Sequence, residues 1–431
     1  MKNWLQPLVN AFKLPDLRKK ILFTLFIILL YRVGVAIPVP YVNADILNYY
    51  MYATDGSMFQ YLDILSGNAF SSATLFALGI SPYITSSIVM QLLTVAIPAL
   101  ERISKDGAEG KKKITQITRY VTVALALITS YGYYMLMKNQ GMLTDNGFFA
   151  AIVIIACYCA GSSLVMWLGE KINENGIGNG ISIILFANIV AGGVNSVSTI
   201  INFFKKGTVA GYIIPVVIVV IALAMVYFVV FVTESERRIP VMYAKKVVGR
   251  KMYGGQSTNL PLKLNMSGVM PVIFANSILA IPSTLALIFA PKSGSFWEKT
   301  VNFLSSGSWF YPFILFVFII AFAYFYVTIS FNPIEVSNNL KTNGGSVPGF
   351  RPGKPTADYI TKVLSKITLI GALFLSVIAI VPIIANLVSN NAVAGIAFGG
   401  TSLLIVVGVA LETAREITAQ MSMRGYKGFL E

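Results

Sequence analysis

Residues 79–87 read Gly-Ile-Ser-Pro-Tyr-Ile-Thr-Ser-Ser, and residues 268–276 read Gly-Val-Met-Pro-Val-Ile-Phe-Ala-Asn. Glycine, proline and isoleucine recur in register as Gly79 and Gly268, Pro82 and Pro271, Ile84 and Ile273. A second pair follows in the same order, Gly180-Ile181-Ser182-Ile183-Ile184-Leu185 and Gly400-Thr401-Ser402-Leu403-Leu404-Ile405. Each match is short, and three identities in nine apolar residues arise by chance. Their order gives them weight, because the second and fifth apolar runs of the chain pair with the seventh and tenth.

Those runs dominate the sequence. Of 431 residues, 56% are hydrophobic and only 12% charged, with a mean hydropathy of +0.72. Soluble domains carry about 25% charged residues, so this chain lacks the means to clothe a water-facing surface. Ten runs are each predicted to cross the roughly 30 Å of bilayer hydrocarbon as a helix: 21–37, 72–97, 114–137, 148–168, 180–204, 211–232, 267–290, 309–331, 363–387 and 393–413. Trp167, Trp309 and Tyr311 fall near run ends, where interfacial anchors belong. Residues 1–20 are amphipathic and basic with no small-residue cleavage site after them, so no removable signal peptide is expected.

Lysine and arginine set the orientation. The N-terminal segment, the connections after runs 2, 4, 6 and 8, and the C-terminal tail hold 25 of them; the opposite connections hold 5. Both termini are therefore expected in the cytoplasm. With that topology each matched pair runs antiparallel across the membrane, the sign of an inverted repeat of five plus five helices. The halves are 1–204 and 205–431. Gly- and Pro-interrupted segments at matching places in such halves point to the functional path between them.

Chemistry is scarce along that path. The sequence has no histidine, which excludes His-based acid–base catalysis and most zinc sites. Apart from Arg32, the run cores carry only Ser, Thr, Asn and Gln as polar side chains, whereas an ion-coupled transporter needs ionisable groups near the midplane. Cys157 and Cys159 can pair on a soft metal or simply serve as small apolar residues; the apolar run around them favours the latter. Asp106 to Lys112 lacks the spacing and hydroxyl of a phosphate-binding loop, and Gly176-Ile177-Gly178-Asn179-Gly180 follows no strand and reads as the tight start of run 5. Ile80, Ile84, Leu185, Ile189, Ile273 and Ile405 have two readings, ordinary helix packing or a hydrophobic constriction that blocks ions by dewetting. Residues 58–72 also have two: a segment flat at the outer interface, or a short re-entrant helix buried in protein. The connections 233–266 and 332–361, each about 30 residues and rich in Gly, Pro and basic clusters, are long enough to be functional.

Six stretches then closely resemble the SecY family: Gly79 to Leu93, Glu101 to Tyr120, Gly169 to Gly192, Arg237 to Lys246, Gln256 to Ile278, and Ser346 to Ile360. They stand in family order, and the resemblance covers the chain almost end to end and looks bacterial. The resemblance implies an all-α membrane protein, a clamshell of two five-helix halves around an hourglass pore. In that frame the six aliphatic residues match the pore ring, with Leu185 where isoleucine is common. Residues 58–72 match the plug, centred on Tyr61, Leu62, Asp63, Ile64, Leu65, Ser66, Gly67 and Asn68. Runs 2 and 7 would form a lateral gate bearing Thr85, Gln91, Asn276 and Ile281, with Gln91 and Asn276 as polar contacts. Arg238, Lys245, Lys246, Arg250, Lys251 and Arg351 would dock the SecA motor or the ribosome, the basic face also meeting anionic lipids. SecE and SecG are the implied small subunits, signal-sequence-bearing polypeptides the implied clients, and the cytoplasmic membrane the implied location. No cofactor, metal or catalytic residue is expected. Two other readings remain from the residues themselves: a small-solute transporter, favoured by the inverted repeat, and an intramembrane enzyme, disfavoured by the missing histidine and carboxylate pairs.

Overall fold

A computed structural model of the chain describes residues 11–47, 63, 66–205, 209–243, 246–248, 251–253, 257–288, 295–304, 308–388 and 400–427. Its helices are α1 (Pro15–Val35), α2 (Ser81–Ala96), α3 (Pro98–Lys105), α4 (Gly107–Asn139), α5 (Phe148–Asn175), α6 (Gly180–Lys205), α7 (Val209–Glu234), α8 (Met270–Ile288), α9 (Phe296–Phe303), α10 (Tyr311–Ser330), α11 (Pro333–Thr342), α12 (Lys354–Val388) and α13 (Gly400–Lys427). Each of the ten apolar runs overlaps one of them. Among the described residues, five stretches are long and apolar enough to cross a membrane: Gly107–Asn139, Phe148–Asn175, Pro215–Glu234, Tyr311–Thr342 and Lys354–Ala385. A sixth is added if α2 and α3 count as one bent span.

Helix starts follow from local chemistry. Proline occupies the first turn of α1, α2, α3, α10 and α11, where its missing N–H costs nothing. The Asn332 side chain caps α11 by accepting from the Ile334 and Glu335 amides, and Asn179 Oδ1 likewise accepts from Ile181 and Ser182 at the head of α6.

Several expectations are corrected. Run 2 does not become helical at residue 72: residues 67–80 form successive turns, and α2 begins at Ser81. Gly79 at φ +53° closes those turns, a conformation that a Cβ disfavours. The chain then breaks at Ile97, extended before Pro98, and α3 leaves α2 at 102°. Run 9 starts earlier as α12, because a polar helical turn precedes its apolar part. Run 10 continues past residue 413 as α13, while its first residues, 393–399, lie outside the described ones.

The chain is not purely helical either. The 233–266 connection holds β1 (Glu236–Tyr243), β2 (Lys246–Val248), β3 (Lys251–Tyr253) and β4 (Ser257–Lys263), and β5 (Gly345–Ser346) comes from the 332–361 connection. β4, β1 and β5 form an antiparallel sheet in that order, with Ile239 opposite Leu260. Its alternate residues Ile239, Val241 and Leu262 are buried against Val327, Val347, Ile360 and Leu364 of the adjoining helices and loop. Strands from the two connections thus share one sheet, seated on the ends of α10 and α12, while β2 and β3 pair as a separate hairpin.

Between apolar helices in lipid, packing and small residues replace the hydrophobic effect as the source of association. A Cβ on Gly161 of α5 would lie 1.9 Å from the Leu75 carbonyl oxygen, and one on Gly180 would lie 2.0 Å from that of Gly169. One buried cluster joins α8, α10 and α12 through Val272, Phe274, Leu315, Ile319, Leu375 and Ile378. Another joins α1, α5, α6 and α13 through Ile27, Tyr31, Val165, Ile184 and Val409.

Candidate functional site

The six aliphatic residues singled out by the repeat meet in one place. Ile80, Leu185, Ile189 and Ile405 are buried members of the α1–α5–α6–α13 cluster, and Ile84 and Ile273 pack against it. They arrive from the turn before α2, from α2 itself, and from α6, α8 and α13. Both matched sequence pairs contribute.

Two cavities border members of this group. One, of about 190 Å³, is apolar and bounded by Phe70, Tyr133, Ile84, Asn276 and Ile281 among others. The other, of about 290 Å³, is bounded by polar and charged groups including Asn265, Lys263, Glu412 and Arg415. Leu185, Ile273 and Ile405 line both cavities. These three aliphatic side chains are thus common to the walls of an apolar cavity and a more polar one.

Three of the four gate residues, Thr85, Asn276 and Ile281, border the apolar cavity where α2 faces α8. Gln91 is not among its lining residues. Asn276 does not meet Gln91; its Nδ2 donates to the Val272 carbonyl at 2.9 Å and its Oδ1 accepts from Tyr311 Oη at 3.3 Å. Tyr311 accordingly turns into the protein rather than anchoring at the interface, whereas Trp167 and Trp309 are exposed.

Of the plug residues, Tyr61, Leu62, Ile64 and Leu65 lie outside the described ones. Asp63 Oδ1 accepts from the Ser71 amide at 2.8 Å. Ser66 Oγ donates to the Asp63 carbonyl and accepts from the Phe70 amide. The Ser66 carbonyl accepts from Tyr31 Oη at 3.3 Å, whose oxygen in turn accepts from Asn188 Nδ2 at 2.9 Å. Gly67 and Asn68 both stand at φ +69°. Arg32 donates to the carbonyls of Gly67 and Ala187. Sequence reasoning noted Arg32 only as an ionisable residue within a run and missed Tyr31, Tyr133 and Asn188. The signal for Arg32 was present, since a charge at membrane depth must find polar partners.

The residues expected to dock a partner do not share one element. Arg238 on β1 is exposed and pairs with Glu236 at 2.7 Å. Lys246 and Lys251 belong to the short β2–β3 hairpin, and Lys245 and Arg250 lie outside the described residues. Arg351 is exposed in the loop before α12. Cys157 and Cys159 are free thiols on α5, and no group of three or more metal-ligating side chains occurs among the described residues.

Comparison with known proteins agrees with this architecture. Residues 74–414 match the SecY family model. The protein translocase subunit SecY of Streptomyces galbus is 46% identical over 98% of this chain and 98% of its own length. That of Mycobacterium tuberculosis H37Rv is 42% identical over 99% and 100%. Among solved structures, one described as the structure of a protein conducting channel superposes with a TM-score of 0.67 at 18% identity, covering 94% of this chain and 92% of the other. Sec61 in the canine ribosome-channel complex from the endoplasmic reticulum gives 0.63, also at 18% identity, with the same coverage of 94% and 92%. With a family match over most of its length and full-length relatives 42% and 46% identical, the chain belongs to the SecY family.

Proposed function

We propose that the chain is the pore-forming subunit of a protein translocase, passing unfolded secretory polypeptides across the cytoplasmic membrane and releasing apolar segments sideways into lipid. In this reading the ten helices over the apolar runs form two inverted halves, 1–204 and 205–431, closing like a clamshell on an hourglass pore. The observation that carries it is the aliphatic septum. Leu185, Ile273 and Ile405 wall both cavities, and Ile80, Ile84 and Ile189 complete the same cluster. A ring of this kind excludes water and ions while yielding to a passing chain. Residues 58–72 act as plug, and α2 and α8 as lateral gate around Thr85, Asn276 and Ile281, with Gln91 further along α2.

The chain carries no catalytic constellation among its described residues, so the driving energy comes from a partner. The sheet unit with Arg238, Lys245, Lys246, Arg250, Lys251 and Arg351 docks SecA or the ribosome on the cytoplasmic side, where both termini also lie. A related fold occurs in complexes with ribosomes, which supports this. SecE and SecG complete the assembly, and anionic lipids meet the basic face.

Crosslinking tests the reading. A secretory chain stalled in reconstituted membranes carries one photoprobe, and single cysteines replace Ile80, Ile84, Leu185, Ile189, Ile273 and Ile405 in turn. Adducts at all six, and none at lipid-facing controls on α7, are expected. Absence of adducts in a correctly assembled complex would reduce the septum to helix packing and revive the small-solute reading.

A further inference from the structure

The segment that leads from the plug to α2 is held far more firmly than a displaceable stopper needs. Ser66, Ala69, Phe70, Ala73, Thr74, Phe76 and Ala77 are all buried. Four side chains reach its backbone or the groups that hold it. Tyr31 donates to the Ser66 carbonyl and is itself held by Asn188. Arg32 bridges the carbonyls of Gly67 and Ala187. Tyr133 donates to the Phe70 carbonyl at 2.8 Å and lays its ring against that of Phe70, centroids 4.4 Å apart.

Backbone contacts continue the attachment. The Val39 amide donates to Ala73 and the Leu75 amide to Ile37, forming an antiparallel bridge between Pro38 and Thr74. Two glycines let the walls close in. A Cβ on Gly34 would meet the Phe76 ring at 2.0 Å, and Gly161 abuts the Leu75 carbonyl as already described. Every one of these contacts comes from α1, α4, α5, α6 or the α1 exit, all within residues 1–204. From the second half, Ile405 and Val409 share the apolar cluster of Phe76 and Ile80; the hydrogen bonds named above all come from the first.

We infer that residues 66–80 are a fixed root, with Tyr31, Arg32, Tyr133 and Asn188 as positioning residues that clamp it to the first half so that it travels with that half when the pore opens. The inference rests on the channel reading and narrows it. Whatever part of the 58–72 segment is displaced by a client, Ser66 onward is not. The reason is additive: several buried hydrogen bonds to backbone carbonyls must break together to free the root, and each carbonyl left unpaired in an apolar site resists exposure. Opening the pore has only the apolar contacts of Phe76 and Ile80 with Ile405 and Val409 to part, whereas freeing the root from the first half breaks the hydrogen bonds as well.

Amide hydrogen exchange on the full complex, with SecE, SecG and SecA, tests this without any mutation. The amides of Phe70, Ala73, Thr74, Leu75 and Ala77 are hydrogen-bonded in the resting fold. Their protection is expected to stay within about threefold when a secretory chain is stalled in the pore, and acceleration of tenfold or more would overturn the inference. A second arm pins the root. The Pro38 and Thr74 pair is of the non-hydrogen-bonded antiparallel type, with Cα atoms about 4.5 Å apart, inside the range that a disulfide spans. In a background with Cys157 and Cys159 replaced by serine, Pro38→Cys with Thr74→Cys should translocate equally well oxidised and reduced. Transport lost on oxidation and regained on reduction would show that the root moves, while leaving the channel reading intact.

The positioning role has its own readout. Tyr31→Phe and Tyr133→Phe each remove one O–H donor and should raise resting ion conductance about fivefold, the factor that one lost hydrogen bond is worth, at unchanged abundance. Unchanged conductance in both would remove the positioning role. If the reduced complex, assembled and supplied with SecA, moved no polypeptide at all, the channel reading would fail and the root assignment would fall with it.

Discussion

The Arg119 guanidinium donates through Nε to Glu170 Oε1 at 2.8 Å, tying α4 to α5. The two ends of this bond differ: the Glu170 side chain is 11% exposed and that of Arg119 44%. Arg119→Met therefore strands a nearly buried carboxylate and should destabilise the protein by about 1–3 kcal/mol. Glu170→Gln should cost less, because the arginine can still reach solvent. The double variant should recover part of the loss, since neither charge is left alone. Thermal unfolding in detergent across the four proteins measures the coupling; strictly additive losses would mean that the pair contributes nothing as a pair.

The septum should fail by wetting. Ile80→Ser together with Ile405→Ser places two hydroxyls among six side chains that are all aliphatic, and water-filled constrictions conduct where dewetted ones do not. Resting single-channel conductance should rise at least about tenfold, with Leu185→Ile as a volume-conserving control that leaves it unchanged. A flat baseline in the double variant would dismiss the septum as a seal.

Close packing at Gly161 makes a separate prediction about assembly. Gly161→Ala sets a methyl group against the Leu75 carbonyl and should destabilise by about 1–3 kcal/mol, the usual cost of overpacking. Gly192 on α6 has nothing within 4 Å of an added Cβ, so Gly192→Ala should be neutral or slightly stabilising through helix propensity. Equal melting temperatures for the two variants would contradict the tight α5 contact.

Docking is tested by charge. Arg351 is exposed in the loop ahead of α12. Arg351→Glu should cut SecA-driven export about tenfold or more, with a deficit that shrinks as salt screens the contact. Membrane abundance should change by less than about twofold, as for an exposed substitution. A parallel loss of abundance would assign Arg351 to the fold instead.

Much of this architecture was legible in the sequence because lipid imposes a simple rule: backbone groups must bond within the segment, so apolar runs become helices. Each of the ten runs lies over a helix for that reason. The misses sit where water or neighbouring protein, not lipid, sets the conformation. Ile239 and Val241, and likewise Leu260 and Leu262, stand two apart in the strand period, but Pro240 and Pro261 lie between them, and their connection reads as a loop when only Gly, Pro and charge are weighed. Residues 72–80 are apolar enough to read as the start of run 2, and only Gly79 and Pro82 announce that they turn. The repeat placed the six aliphatic residues on matching segments, with helix packing and a constriction both open. The clamp of Tyr31, Tyr133 and Asn188 had no such pointer, because its bonds run to backbone carbonyls, which leave no trace in residue identity.

The sharing of Leu185, Ile273 and Ile405 by both cavities has an electrical consequence. If the two cavities are the aqueous funnels of a channel, nearly the whole transmembrane voltage falls across the depth of a few side chains instead of the full bilayer. A charge on a moving polypeptide would then gain or lose about 2.3 kcal/mol per 100 mV in a single short step at the septum. Passage of each lysine or aspartate would be a discrete, voltage-weighted event, and the charge sequence of the client would be read out one residue at a time.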